Sequence, residues 1–113
     1  MHEMAISESI LGILEAEAKR QHFARVKTVW VEIGPLSGIE PEALRFTFDV
    51  VAKGTLAELA LLQIIATQAT AWCLACEQTV AITQRYEACP ICGGHQLKVT
   101  TGEEMRIKEL EVE

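Results

Sequence analysis

Ala71-Trp72-Cys73-Leu74-Ala75-Cys76 and, after residues 77–88, Cys89-Pro90-Ile91-Cys92-Gly93 hold all four cysteines of the chain. Two residues between paired cysteines let neighbouring sulfurs turn onto a single ion about 2.3 Å away, and two such knuckles supply the four ligands of a structural Zn²⁺. Cys73, Cys76, Cys89 and Cys92 are therefore the candidate zinc ligands. Closed four-thiolate sites are structural far more often than catalytic, so this stretch decides how part of the chain folds and leaves its function open.

The 113 residues suit one compact domain or two very small ones sharing a chain, and an apolar content of 50% is enough for a core. Sixteen acidic residues against ten basic ones give a net charge of -6, which disfavours a nucleic-acid partner. The first ten residues contain two acids and no Lys or Arg, unlike a secretory signal. The longest strongly apolar stretch, 59–66, is interrupted by Gln63 and is too short to span a bilayer. A cytoplasmic location follows as the expectation. There the thiols stay reduced, and paired CxxC motifs read as metal ligands rather than disulfides.

Outward from the cysteines the chain alternates helical and extended patterns. Met4, Ile10, Leu11, Leu14 and Ala18 fall at helical spacing and predict a helix from Met4 to about His22. Val26 to Ile33 is β-branched and alternates, with Val29, Val31 and Ile33 on one face and Thr28, Trp30 and Glu32 on the other. After the turn residues Gly34 to Gly38, Pro41 opens a second helix to about Lys53, with Leu44, Phe48 and Val51 as its core stripe and Gly54 free to turn left-handed beyond it. Leu61 to Ala69 reads as a strand running directly into Trp72. Within the cysteine module, Thr79 to Ile82 and Arg85 to Ala88 suit a short hairpin. A last strand, Glu103 to Val112, has Met105 and Ile107 on one parity but Leu110 and Val112 on the other, which predicts a β-bulge or a swap of buried face near Lys108 or Glu109.

This order implies an α/β (α+β) fold: a three-stranded sheet with two helices, interrupted by an inserted Cys₄ zinc ribbon. The expected division is residues 1–70 and 100–113 in the α/β domain and 71–99 in the zinc-binding domain.

A second metal constellation lies at the start. A histidine in a terminus is usually only solvated, but the Met1 amine, the backbone nitrogen of His2 and the His2 imidazole can close adjacent chelate rings on one ion, and the backbone nitrogen of Glu3 can complete a plane. Planar nitrogen donation suits Ni(II) and Cu(II), whereas Zn²⁺ prefers tetrahedral thiolates. The Glu3 carboxylate can bind axially or orient the imidazole. Binding needs a neutral imidazole, so affinity is expected to fall as pH drops through the ordinary histidine range, about 6.5.

Met1-His2-Glu3, the run from Gly34-Pro35-Leu36-Ser37-Gly38 through Glu40-Pro41-Glu42 to Phe46, the CxxC pairs with Cys89-Pro90-Ile91-Cys92-Gly93, and Gly102-Glu103-Glu104-Met105 through Val112 together resemble the HypA/HybF family of hydrogenase maturation nickel chaperones. The resemblance spans essentially the whole chain. It implies a nickel-binding and a zinc-binding domain, and a role in inserting nickel into the large subunit of [NiFe] hydrogenase, with the maturation GTPase HypB as partner and with service to urease in some members. Carried over, the nickel ligand is His2, with Met1 and Glu3 contributing, and the zinc ligands are Cys73, Cys76, Cys89 and Cys92. The first knuckle departs from the pattern, since Glu77 follows it where a glycine often stands.

Two competing readings are a rubredoxin-like mono-iron electron carrier, which the large α/β portion disfavours, and a zinc-ribbon interaction domain, which the acidic balance and the 5% aromatic content leave without nucleic-acid contacts. The chain has no Gly-rich phosphate loop and is not expected to be an enzyme. His22 reads as a solvated or capping residue, His95 as a loop residue, and Trp30 and Trp72 as packing residues.

Overall fold

The computed structural model describes residues 2–113. Its elements are α1 (Glu3–Gln21), β1 (Val26–Ile33), α2 (Pro41–Ala52), β2 (Leu61–Ala66), β3 (Ala69–Cys73), β4 (Gln78–Ile82), β5 (Leu97–Thr101) and β6 (Met105–Val112). They form two three-stranded sheets, ordered β2-β1-β6 and β4-β3-β5. The expected sheet with two helices is the first of these, and the cysteine ribbon is built on the second.

Helix α1 buries Ser7, Ile10 and Leu14, and ends where His22 turns left-handed at φ 59°, a cap that satisfies a last-turn carbonyl. Lys19 and Arg20 occupy its last turn, where cations suit the helix dipole. In α2 the Glu40 side chain accepts the N–H of Glu42, Pro41 stands in the first turn, and the buried residues are Leu44, Phe48 and Ala52. The third core position is thus Ala52, one residue beyond the expected Val51, which is half-buried. Both spacings fit a helix of 3.6 residues per turn. Where α1 packs on α2, Ser7 is fully buried and its hydroxyl shares a 2.7 Å hydrogen bond with that of Thr47.

Hydrogen bonds at the strand ends give the directions of the first sheet. Val26 N–H donates to the Leu56 carbonyl and Thr67 N–H to that of Ile33, so β1 and β2 run parallel, joined by the α2 crossover. Arg25 and Glu113 exchange N–H···O bonds, and Gly34 N–H donates to Glu104, so β6 runs antiparallel to β1.

The chain clusters into two compact units. One runs through Val31 and takes in Ile39–Ile64 and Ile107–Glu113, and the other comprises Glu32–Gly38 and Ile65–Arg106. Ile10, Leu14, Val29, Val31, Leu44 and Phe48 lie in the core of the first. Leu36, Ala69, Ala71, Cys73, Val80, Ile82 and Cys89 form that of the second.

Three extended segments depart from the sequence expectation. Leu61 to Ala69 is not one strand: β2 stops at Ala66, and β3 starts at Ala69 in the other sheet. The more buried positions move from even residues (Leu62, Ile64) to odd ones (Ala69, Ala71, Cys73), which one continuous strand of period two cannot do. Nor do 79–82 and 85–88 form a hairpin. β4 pairs antiparallel with β3, from Cys73 opposite Gln78 to Ala69 opposite Ile82, so the hairpin closes around the first knuckle itself. The 85–88 segment is held in a turn, because the Glu87 carboxylate accepts both the N–H (3.2 Å) and the hydroxyl (2.6 Å) of Thr83. The second partner of β3 is instead β5, at 97–101.

In β6, which begins at Met105 rather than Glu103, the half-buried positions are 105, 107 and 110, while 106, 108, 109, 111 and also 112, expected on the side of Leu110, are exposed. The buried face therefore changes parity at Lys108-Glu109, as the sequence implies. Side chains on both flanks of that change reach β1: Arg106 pairs with Glu32 at 2.8 Å, and Glu111 accepts from the hydroxyl of the buried Thr28 at 2.9 Å.

Candidate metal centres

The two knuckles are built alike. In the first, Cys73 ends β3 and Gln78 begins β4, and the Cys73 carbonyl accepts the N–H of Glu77 at 2.8 Å. In the second, the Cys89 carbonyl accepts the N–H of Gly93 at 2.8 Å. Each loop closes on a residue with positive φ, 52° for Glu77 and 74° for Gly93. Glu77 thus adopts the conformation that glycine takes without a Cβ penalty, and the turn that its side chain put in question does form.

These turns aim backbone N–H groups at sulfur. Cys76 N–H donates to Cys73 Sγ, Ile91 N–H to Cys89 Sγ and Gly94 N–H to Cys92 Sγ, each at 3.4 Å. The sulfurs of Cys73 and Cys92 are 3.8 Å apart, those of Cys76 and Cys89 are 4.0 Å apart, and all four lie within 4.8 Å of one another. Four sulfurs about 2.3 Å from a shared ion make a tetrahedron with edges of about 3.8 Å, whereas a disulfide would bring two of them to about 2.05 Å. All four cysteines are free thiols. The Cys92 N–H is foremost among the groups that draw the Cys89 thiol down to about 7. The Cys92 side chain, followed by burial, pushes the Cys76 thiol up to about 12. One thiolate forms readily, and further negative charge beside it is resisted unless a cation compensates it. The donor set therefore fits Zn²⁺. Cys73 and Cys89 are buried, Cys76 is intermediate and Cys92 is exposed.

At the other end of the chain, the Met1 amine lies outside the described residues. His2 is exposed, with φ −84° and ψ 81°, and its carbonyl accepts the Ile6 N–H in the first turn of α1. Its imidazole makes no capping hydrogen bond. The first N–H groups of a helix have no carbonyl partner within it, so the nitrogens of residues 2 and 3 can be given to a metal without unwinding α1. Glu3 is placed differently from its neighbour. Its carboxylate accepts the Glu40 N–H at 3.1 Å and its carbonyl accepts the Thr47 hydroxyl at 3.3 Å. The Glu40 bond is the main reason its carboxyl lies below the ordinary value. Glu40 was not singled out in the sequence, although its place before Pro41 marks it as a helix cap.

His95 is exposed and is not among the clustered ligands, which in the described residues are the four cysteines alone. Trp72 is 39% exposed on the outward side of β3, between the buried Ala71 and Cys73, so it is not the packing residue expected from sequence. His22 is exposed and caps α1. No helix among the described residues is long and apolar enough to cross a membrane.

Residues 1–112 match the family HypA, described as hydrogenase/urease nickel incorporation, metallochaperone. Over the full length of both chains, this one is 58% identical to hydrogenase maturation factor HypA 2 of Bradyrhizobium diazoefficiens and 55% identical to hydrogenase maturation factor HypA of Rhodopseudomonas palustris strain BisA53. The solution structure of the Ni metallochaperone HypA from Helicobacter pylori superposes with a TM-score of 0.73 at 25% identity, covering 99% of this chain and 97% of that one. The fold, the clustered sulfurs and the full-length match agree, and the chain belongs to the HypA family of nickel-incorporation metallochaperones.

Proposed function

We propose that this chain carries Ni(II) during maturation of [NiFe] hydrogenase and holds it at its N-terminus through His2, with the Met1 amine and Glu3 contributing. Membership of the HypA family supports the nickel cargo. The observation that carries the site is the contrast between neighbours: the His2 imidazole is exposed and makes no capping hydrogen bond, while Glu3 is anchored to Glu40 and Thr47. In this arrangement His2 is the ligand and the Glu3 carboxylate is chiefly the anchor that holds the terminus in place. A helix start carries partial positive charge, which disfavours a cation, and the Glu3 carboxylate offsets it.

Cys73, Cys76, Cys89 and Cys92 hold zinc, which stabilises the second unit by coupling metal binding to folding. The nickel ligands belong to the segment pair 1–70 and 100–113 and the zinc ligands to 71–99, while the unit that zinc stabilises extends beyond the latter to Glu32–Gly38 and Ile65–Arg106. Hydrolysis of nucleotide comes from the GTPase HypB, because the sequence offers no phosphate-binding loop. The recipient is the hydrogenase large subunit, and the transfer takes place in the cytoplasm without catalysis by this chain. An open terminal site suits a metal that is handed on, and a closed thiolate site suits one that is kept.

The test is metal analysis with nickel titration calorimetry on untagged protein beside His2→Ala. One retained zinc, with one nickel equivalent bound by wild type and not by the variant, is expected. Nickel uptake that survives the substitution would overturn the assignment of His2. Iron in place of zinc in a red, redox-active protein would instead support the electron carrier.

A further inference from the structure

Three heavy-atom bonds leave the Cα of Glu3, and two of them lead to α2 or its cap. The side-chain carboxylate accepts the Glu40 N–H at 3.1 Å, and the backbone carbonyl accepts the Thr47 hydroxyl at 3.3 Å. Fixing two substituents of a tetrahedral carbon fixes the direction of the third. Here the third is the backbone nitrogen of Glu3, which stands in the first turn of α1 and so has no carbonyl partner within the helix. That nitrogen is the one that the chemistry of the terminus offers to nickel beside the His2 imidazole.

The two ties are unequal. The Glu40 bond is exposed and competes with water. Thr47 is half-buried and its neighbour Ser7 is fully buried, and a hydrogen bond shielded in this way keeps more of its strength. A threonine inside a helix ordinarily turns its hydroxyl onto its own backbone, and Thr47 has the carbonyls of Ala43 and Leu44 at 3.0 and 3.1 Å. Ser7 changes the outcome. It lies one turn beyond Glu3 on the same face of α1, with its hydroxyl 2.7 Å from that of Thr47. When Ser7 donates to Thr47, the Thr47 proton is left for the carbonyls around it, and of those only Glu3's belongs to α1. Packing α1 on α2 needs no more than the Ser7–Thr47 bond. The further reach falls on the residue next to the nickel ligand.

We infer that Thr47, backed by Ser7, is a positioning residue for nickel, which aims the Glu3 backbone nitrogen at the ion held by His2. This rests on the assignment of His2 made above. Aiming the donor before the metal arrives spares the ordering that a loose terminus would need on binding.

Nickel titration of untagged, zinc-loaded protein tests the inference with Thr47→Val, Thr47→Ser and Ser7→Ala beside His2→Ala. Thr47→Val keeps the shape and removes the hydroxyl, and it should weaken nickel binding about tenfold or more and change the visible absorption of the bound ion, because a donor is lost. Thr47→Ser, which restores the hydroxyl, should return both the affinity and the spectrum. Ser7→Ala leaves the Thr47 proton to its own helix and should weaken binding in the same direction. Circular dichroism and thermal melts confirm that each variant is folded. A Thr47→Val protein that melts lower but binds nickel with wild-type affinity and absorption has lost only a tie between helices, and would overturn the inference while leaving His2 as the ligand. Nickel bound equally by wild type and His2→Ala would overturn the His2 assignment and this inference with it.

Discussion

Gly34 and Gly102 approach each other so closely that a Cβ built on Gly34 would stand 2.1 Å from the Gly102 carbonyl oxygen. Leu36 N–H donates to that same oxygen at 2.8 Å, so it cannot move away without loss. Gly102, at φ 112°, is hemmed in from the other side, where its own Cβ would fall 2.5 Å from that of Ala69. Gly34→Ala should therefore destabilise the fold by about 2–4 kcal/mol or abolish soluble expression. Gly12→Ala, in α1, where a Cβ meets nothing within 4 Å, should be neutral or stabilising by up to about 1 kcal/mol. Thermal melts of the two variants check the contrast.

The paired knuckles predict opposite responses at equivalent positions. Gly93→Ala places a Cβ on left-handed backbone and should cost about 1 kcal/mol although the space beside it is open. Glu77→Gly relieves strain of the same kind at φ 52° and should stabilise by up to about 1 kcal/mol, less the entropy that glycine adds to the unfolded chain. Melts of zinc-loaded protein would show the two shifts with opposite sign, and a Glu77→Gly variant no more stable than wild type would remove strain as the explanation.

Chelation of zinc should disorder the unit that contains the cysteines and leave the helical signal of α1 and α2, because Cys73 and Cys89 belong to the core of that unit while Leu44 and Phe48 belong to another. Far-ultraviolet circular dichroism, with Trp72 fluorescence as a local reporter, separates the two responses.

Glu3→Ala should lower nickel affinity by about tenfold or more while His2 remains in place, the size expected for a group that orients a ligand. Acid tests the same anchor without mutation. The Glu3 carboxyl lies below its ordinary 4.5 because it accepts the Glu40 N–H. A folded value below the unfolded one means stabilisation that is complete above the ordinary range and disappears as pH falls through the lowered value. Glu3→Gln should accordingly flatten the acid limb of a stability-against-pH curve, and an unchanged limb would count against the anchor.

Much of this architecture was legible in local pattern. The β-branched run Val26 to Ile33, the proline opening α2 and the change of parity at Lys108-Glu109 each carry a physical instruction that the fold obeys, although Thr28, expected opposite Val29, is buried like it. The cysteine spacing likewise announced the clustered sulfurs. What the sequence concealed depended on partners distant in the chain. Apolar residues run from Leu61 toward Trp72 without a proline or glycine to mark the break at Thr67-Gln68, which arises because Ala69 and Ala71 join a second core. The pairing of β3 with β5 was hidden for the same reason, since Leu97 to Thr101 lies beyond both knuckles. Thr83 and Glu87, four residues apart, turned an expected strand into a loop through side-chain bonds that a β-pattern does not register. At the candidate nickel site, residue type and position make His2 and Glu3 candidates, but the anchoring of Glu3 rests on Glu40, far along the chain.

The graded burial of the four sulfurs, from Cys73 and Cys89 through Cys76 to the exposed Cys92, also sets an order of events in time. Ligand substitution at a crowded tetrahedral centre proceeds one bond at a time, and an incoming chelator or electrophile can reach the Cys92 sulfur before the others. Loss of zinc should start there, pass to Cys76, and reach the two core sulfurs only once the surrounding side chains loosen. Alkylation should mark Cys92 first and Cys73 and Cys89 last, so the site is thermodynamically closed and yet has one kinetic door.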